Sequence, residues 1–196
     1  DDAAAGGVAA PLKTVSEAFR RLNASGEIET IHLAAGTYSA TSGESFPCEW
    51  DYGFNLRIVG AGKDATVFDG EGVTTANRFL RFGNCGGIAL SGIGFRNLKL
   101  ETADQTLGAA QGGAVMFSAS ADVTVTDCAF TGIDFAFRCA LAWPIAYGGG
   151  LGALMTRIAV SGCDFTSNTC LCAADGYARA LGGAAGFSPD SYGTIS

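Results

Sequence analysis

Basic charge is scarce in this chain, and proline and histidine are scarcer still. Twelve lysines and arginines face nineteen acids, a formal charge of −7 over 196 residues. No basic stripe is left to neutralise phosphates, which argues against nucleic acid as a partner. Four prolines stand against 29 glycines. That balance favours turns, yet no Gly-X-Y period runs through it, so collagen is excluded. No apolar run approaches the roughly 18 residues a membrane span requires. Charged residues make up only 16% of the chain and hydrophobic ones 48%, which excludes a disordered tail and gives one domain a sizeable core. The opening Asp1-Asp2 lacks a charged-then-apolar signal pattern. The expectation is that a signal has been removed or that the chain begins inside a longer protein.

What is present is a repeat. Ile88-Ala-Leu-Ser-Gly-Ile-Gly-Phe95, Val123-Thr-Val-Thr-Asp-Cys-Ala-Phe130 and Ile158-Ala-Val-Ser-Gly-Cys-Asp-Phe165 align without gaps. Positions one, three, six and eight of each are apolar. Alternation over the first three places predicts a strand with one buried face, and the step from three to six predicts a bend. Glycine pairs recur alongside: Gly112-Gly113-Ala114, Gly149-Gly150-Leu151 and Gly182-Gly183-Ala184. They suit corners where the backbone needs φ > 0. Earlier segments fit more loosely, with strands at Ile28–Leu33, Asn55–Val59 and Thr66–Phe68. Before them Val15, Ala18, Phe19 and Leu22 form one helical stripe, with Thr14 as N-cap and Glu17 completing a capping box. The organisation is an N-terminal segment over 1–13, a capping helix over 14–25 and a solenoid over 26–196. The helix covers the first coil, since stacked strands leave open edges. Thr194-Ile195-Ser196 reads as the opening of another strand, so the coils are expected to continue beyond 196 or to be capped by a partner chain.

Thr14-Val-Ser-Glu-Ala-Phe19, Ile31-His-Leu-Ala-Ala-Gly-Thr-Tyr38 and Leu56-Arg-Ile-Val-Gly-Ala-Gly62 resemble the opening of the pectin-lyase-like superfamily of right-handed parallel β-helices. The resemblance covers residues 14 to 196. The fold class it implies is all-β, a right-handed parallel β-helix with an N-terminal capping α-helix. Gly112-Gly113-Ala114 and Phe165-Thr-Ser-Asn168 resemble the repeats of polymorphic outer-membrane-type adhesins. Phe95-Arg-Asn97 is one residue short of that pattern, and Phe130-Thr-Gly-Ile133 lacks its Asn.

The superfamily contains lyases, glycoside hydrolases and pectin esterases, so the resemblance admits an enzyme. Such chemistry needs paired carboxylates, a cation or bound Ca²⁺. The outward positions Ala89, Ser91, Thr124, Thr126, Ala159 and Ser161 are small and uncharged, and Asp127 and Asp164 fall in different slots. Gln111-Gly-Gly-Ala-Val115 and Asp134-Phe-Ala-Phe137 are similar to esterase motifs only in part, and no arginine motif follows. His32 lies between inward Ile31 and Leu33 and reads as solvated. Asp64, Asp69 and Glu71 read as turn acids, without calcium-loop spacing. No catalytic residue, metal or cofactor is assigned.

Seven cysteines are present. Cys128 and Cys163 share an inward slot and should stack at about the 4.7–4.9 Å strand spacing; that spacing permits a disulfide, but side chains on adjacent parallel strands point the same way, so a buried ladder of free thiols is expected. Cys48, Cys85, Cys139, Cys170 and Cys172 fall in turns or loops. The pairings to test are Cys48 with Cys85, and Cys139 with Cys170 or Cys172; an odd count leaves one thiol over. This usage favours an oxidising, extracellular setting. Between Asp134 and Gly150 lie Phe135, Phe137, Trp143, Ile145 and Tyr147, with one charged side chain after the initial Asp. This stretch either folds back to seal the core or forms an interaction loop for another chain. The expected function is a non-catalytic, extracellular structural or adhesive segment. Its expected partners are a protein or further coils at the C-terminal end, and a glycan. The alternative is the N-terminal part of a carbohydrate-active enzyme with its catalytic coils elsewhere.

Overall fold

The computed structural model describes residues 1–25, 29–103, 109–138, 145–173, 179–188 and 190–195. Helix α1 (Val15–Ser25) buries Val15, Ala18, Phe19 and Leu22, the stripe its periodicity predicts. Among the described residues every strand pairing after it is parallel. A six-stranded sheet runs Thr30–His32, Arg57–Val59, Ala89–Ser91, Val123–Thr126, Arg157–Ser161 and Tyr192–Ile195. A second sheet follows a bend away: Gly36–Tyr38, Thr66–Asp69, Gly94–Arg96, Ala129–Thr131 and Asp164–Thr166. The chain returns through a five-stranded sheet of Cys48–Asp51, Leu80–Gly83, Val115–Ser118, Leu151–Leu154 and Ala185–Phe187. The fold is a parallel β-solenoid, five coils and the first strand of a sixth, with one helix at its N-terminal end.

The repeat sets the core. Phe68, Phe95, Phe130 and Phe165 occupy one slot, with successive ring centroids 5.3, 5.1 and 4.9 Å apart. Stacked rings at this spacing bury large apolar area coil after coil. From the third coil to the fifth, the bend after the six-stranded sheet takes a left-handed residue: Gly92, Asp127 and Gly162. A second left-handed row is Asn97, Gly132 and Ser167, which explains why Phe95-Arg-Asn97 is one residue short. Asn97 fills the left-handed slot and Asn168 the next one. Asn168 accepts from Ile133 N–H at 3.0 Å and donates to Phe130 C=O at 2.9 Å, so its amide serves backbone groups of the preceding coil.

The glycine corner is real but shifted by one residue in its middle coil. Leu151 registers with Val115 and Ala185, so the left-handed row is Gly112, Gly148 and Gly182, not one through Gly149. The row beside it has no room for a side chain: a Cβ on Gly113 would lie 1.5 Å from the Gly149 carbonyl oxygen. The capping box also differs from expectation. Thr14 Oγ1 accepts from Glu17 N–H at 3.2 Å, but Thr14 N–H goes to Asp2 Oδ1 at 2.9 Å. Glu17 turns instead to Arg20 and Arg21, at 2.6 and 2.7 Å. The other helix N–H groups find an acid from far along the chain. Buried Glu44 accepts from Val15 N–H at 2.8 Å, Ser16 N–H at 2.9 Å and the Ser16 hydroxyl at 2.5 Å, satisfying donors that no helical carbonyl can reach.

Candidate functional site

The outer face of the six-stranded sheet carries two rows set by register. One runs Thr30, Arg57, Ala89, Thr124, Ala159, Thr194; the other runs His32, Val59, Ser91, Thr126, Ser161. From the third coil onward the face is small and uncharged, as the alternation predicts. The first two coils add Arg57 and His32, both exposed. Along its lower margin Asp122, Arg157 and Tyr192 stack on successive coils and wall a shallow groove of about 470 Å³ floored by Thr124 and Ala159. Arg157 donates to Asp122 Oδ1 through Nε at 3.1 Å and Nη2 at 2.5 Å. The Tyr192 ring is 74% exposed. Two further rings, Tyr52 and Phe54, stand exposed on the corner of the first coil, and Phe54 rests against Gly86.

Charges on the flanks join one coil to another. Arg81 meets Asp51 at 3.0 Å, Arg96 meets Asp69 at 2.7 Å, and Lys63 reaches Asp164 at 2.6 Å. The Lys63 contact bridges Gly94 and Ala129, the registered positions between, which offer almost no side chain. Asp69 also accepts from Glu71 N–H at 2.8 Å. Burial pushes its carboxyl up, but the Glu71 N–H, Arg96 and Asn97 outweigh that and hold it below the usual carboxylate range. An aspartate held ionised by a guanidinium is poorly suited to donate or collect protons near neutrality. Among the described residues no three His, Cys, Asp or Glu side chains group to hold a metal.

The structure redistributes the other sequence-predicted residues. Phe135 and Phe137 are not loop residues. They alternate inward on a strand, Asp134–Arg138, and are buried. Tyr147 is buried and Ile145 half-buried on a second strand, Ile145–Tyr147. These two strands belong to the coil wall, and the four residues offer no exposed contact loop. The inward-outward alternation of Asp-Phe-Ala-Phe-Arg carried that signal. Trp143 and Cys139 lie outside the described residues.

Cys48 and Cys85 are free and buried, which corrects their expected pairing. Cys48 registers with Leu80, whereas Cys85 lies beyond the end of the Leu80–Gly83 strand, past left-handed Asn84, so the two do not stand opposite each other. The Cys85 thiol donates instead to the Trp50 and Gly83 carbonyls, both at 3.3 Å. Cys170 and Cys172 face the side of Phe135 and Phe137 on the next coil. Cys128 and Cys163 stand opposite each other on adjacent coils, both free, Cys128 fully buried and Cys163 half-buried. His32 is exposed, as its alternation predicts.

A family described as a protein of unknown function, DUF1565, has a model that matches residues 1–125. The chain belongs to the DUF1565 family. The match spans α1 and the first three coils and ends within Val123–Thr126. No curated protein and no solved structure matches this DUF1565 chain.

A hydroxyl ladder lies outside the apolar repeat. Ser120, Thr156 and Ser191 stack at one corner, Ser120 accepting from Cys85 N–H at 3.2 Å, Thr156 from Ser120 N–H at 3.3 Å, and Ser191 from Thr156 N–H at 3.1 Å. Cys85 is the first rung of this DUF1565 ladder, its thiol donating to the carbonyl two residues back as Ser120 and Thr156 do. The recurrence near 35 residues was visible, but a polar rung gives no hydrophobic period to find it by.

Proposed function

We propose that this chain is a non-catalytic, extracellular structural or adhesive β-helix segment that presents a rigid lateral face to a protein or glycan. One observation carries the reading. The acids and cations along its flanks are engaged with one another from coil to coil, Asp51 with Arg81, Asp69 with Arg96, Asp122 with Arg157 and Asp164 with Lys63. Such an arrangement stiffens a stack and leaves the Thr, Ala and Ser rows as a flat presenting surface. The exposed rings of Tyr192, Tyr52 and Phe54 supply apolar faces of the kind that anchor partners at interfaces. The extracellular setting rests on the likeness of the Gly-Gly-Ala and Phe-x-x-Asn elements to adhesin repeats.

The test pairs binding with turnover. Wild type and Tyr192→Ala would be screened for binding to plant and bacterial glycans, with polygalacturonate and methylated pectin followed for new reducing or unsaturated ends. Binding that weakens at least tenfold in Tyr192→Ala without any turnover is expected. Chain cleavage or demethylation would overturn the non-catalytic reading in favour of a carbohydrate-active enzyme.

A further inference from the structure

Cys128 and Cys163 are neighbours across two adjacent coils. Thr126 registers with Ser161 and Ala129 with Asp164, so the two cysteines lie directly opposite on adjacent coils. They sit in the bend between strands, each just after a left-handed residue, Asp127 or Gly162. Both thiols point the same way, each toward the carbonyl two residues back at 3.3 and 3.4 Å, so closure of a bond between them takes a χ1 rotation. The spacing of adjacent strands, about 4.8 Å, falls inside the Cα range of a disulfide. Cys128 N–H donates to Cys163 Sγ at 3.4 Å, and the Cys163 thiol also lies 3.6 Å from the Val125 carbonyl of the preceding coil.

We propose that Cys163 and Cys128 form a peroxide-sensitive thiol pair that can close into a disulfide joining the fourth coil to the fifth. Exposure assigns the roles: half-buried Cys163 meets the oxidant, and fully buried Cys128 resolves it. The Cys163 thiolate attacks one oxygen of hydrogen peroxide. The O–O bond breaks, leaving a sulfenic acid on Cys163 and releasing hydroxide. Cys128 sulfur then displaces the sulfenic oxygen, which leaves as water with the Cys128 thiol proton taken up in the balance. Two thiols lose two electrons in total, and peroxide is reduced to water.

The surroundings favour this order. The Cys128 thiol and N–H push Cys163 down to about 7 against the opposing pull of burial, while Cys128 is pushed up by its bond to Cys163 and by burial. Of the charged groups acting on Cys163, Lys63 favours the thiolate and Asp127 opposes it. Lys63 also holds Asp164, the next residue.

The experiment is peroxide treatment of the reduced protein, thiol blocking and peptide mapping by mass spectrometry. The expected result is a cross-linked pair of peptides containing Cys128 and Cys163, lighter by two hydrogens and restored by dithiothreitol, with a higher melting temperature while oxidised. In Cys128→Ala the resolving thiol is gone, so Cys163 should carry a stable sulfenic acid captured by dimedone. In Cys163→Ser, Cys128 should stay reduced under the same exposure. Oxidation that maps to Cys139, Cys170 or Cys172 while Cys128 and Cys163 remain alkylatable would overturn the proposal. Because the wild-type map decides this alone, a variant that folds poorly leaves the answer intact.

Discussion

Phe130 and Phe165 occupy the same slot one coil apart, their rings 4.9 Å apart and 5° from parallel. Phe130 is fully buried, whereas Phe165 is only half-buried, in company with Cys170, Cys172 and Phe187 of the same coil. At the opposite end the first coil has α1 laid on it, and Ile31, Leu33, Cys48 and Trp50 are buried. A residue in a solenoid is buried by the layer above and the layer below, and its own sequence supplies neither. Stability is therefore close to a sum of coil terms and nearest-neighbour terms, and identical residues differ in worth by position.

The strongest way to test that comparison is to truncate both rings. Phe130→Ala should cost about 3–5 kcal/mol, the range for a fully buried Phe that leaves a cavity. Phe165→Ala should cost about half as much, because part of its area is already in water. Urea unfolding followed by tryptophan fluorescence would measure both. Equal losses would mean that the ladder's ends and middle are not distinguished by burial.

This dependence on neighbours also explains what could be read in advance. The inward slots Ile88, Leu90, Ile93 and Phe95 and their repeats were legible because apolar alternation is a property of the strand itself. α1 was legible for the same reason. Glu44 was not: its two oxygens meet N–H groups 28 and 29 residues earlier, and nothing local marks a glutamate as a distant cap. The Cys48–Cys85 pairing failed for want of register: Cys48 opens a strand while Cys85 follows the end of the neighbouring one, and that offset shows only once the two strands are paired. Phe135 and Phe137 leave a core-sealing stretch and an interaction loop both open while only their aromatic content is read, and the alternation they obey decides for the core. The lateral face was half legible. Its small outward residues follow from the period, whereas the Asp122–Arg157–Tyr192 row requires knowing which residue stands on which.

Glu44→Ala attacks the covered end alone. It removes the acceptor of two backbone donors and a hydroxyl, and a hydrogen bond to a charged partner contributes about 1.5–3 kcal/mol. A loss of about 2 kcal/mol is expected, with α1 detaching before the coils melt. Hydrogen exchange would show it, as faster exchange over Val15–Ser25 and the first coil with the fourth and fifth coils unchanged. Uniform loss of protection would instead mean that the cap and the stack unfold as one unit.

Acid should loosen the same end, by less. Hydrogen bonds from Arg20 and Arg21 hold Glu17 down to about 2. Burial raises Asp2, but the Thr14 N–H and hydroxyl and the Lys13 N–H pull it below its ordinary value. Both folded pKa values are depressed, so their contribution is fully present above the unfolded carboxylate range, roughly pH 4–4.5. It is lost as pH falls through the folded values, toward about 2 for Glu17. The helical circular dichroism signal should therefore decline between about pH 4 and pH 2 ahead of the sheet signal. Loss of both together would place the acid-sensitive groups in the coils.

The smallest effect on stability is expected from Arg157→Ala, and that is its use. Arg157 and Asp122 are both mostly exposed, at 64% and 68%, and ion pairs of that kind contribute under about 1 kcal/mol. If the pair serves only to tie the fourth coil to the fifth, the variant should unfold slightly earlier and bind every lateral partner as before. If the groove it walls with Tyr192 is the presenting surface, stability should hardly move while partner affinity falls. Urea midpoints measured beside binding for Arg157→Ala and Tyr192→Ala separate the two outcomes. A joint loss of affinity at unchanged midpoint would place the contact on this margin, whereas intact binding in both variants would move it to the Tyr52 and Phe54 corner.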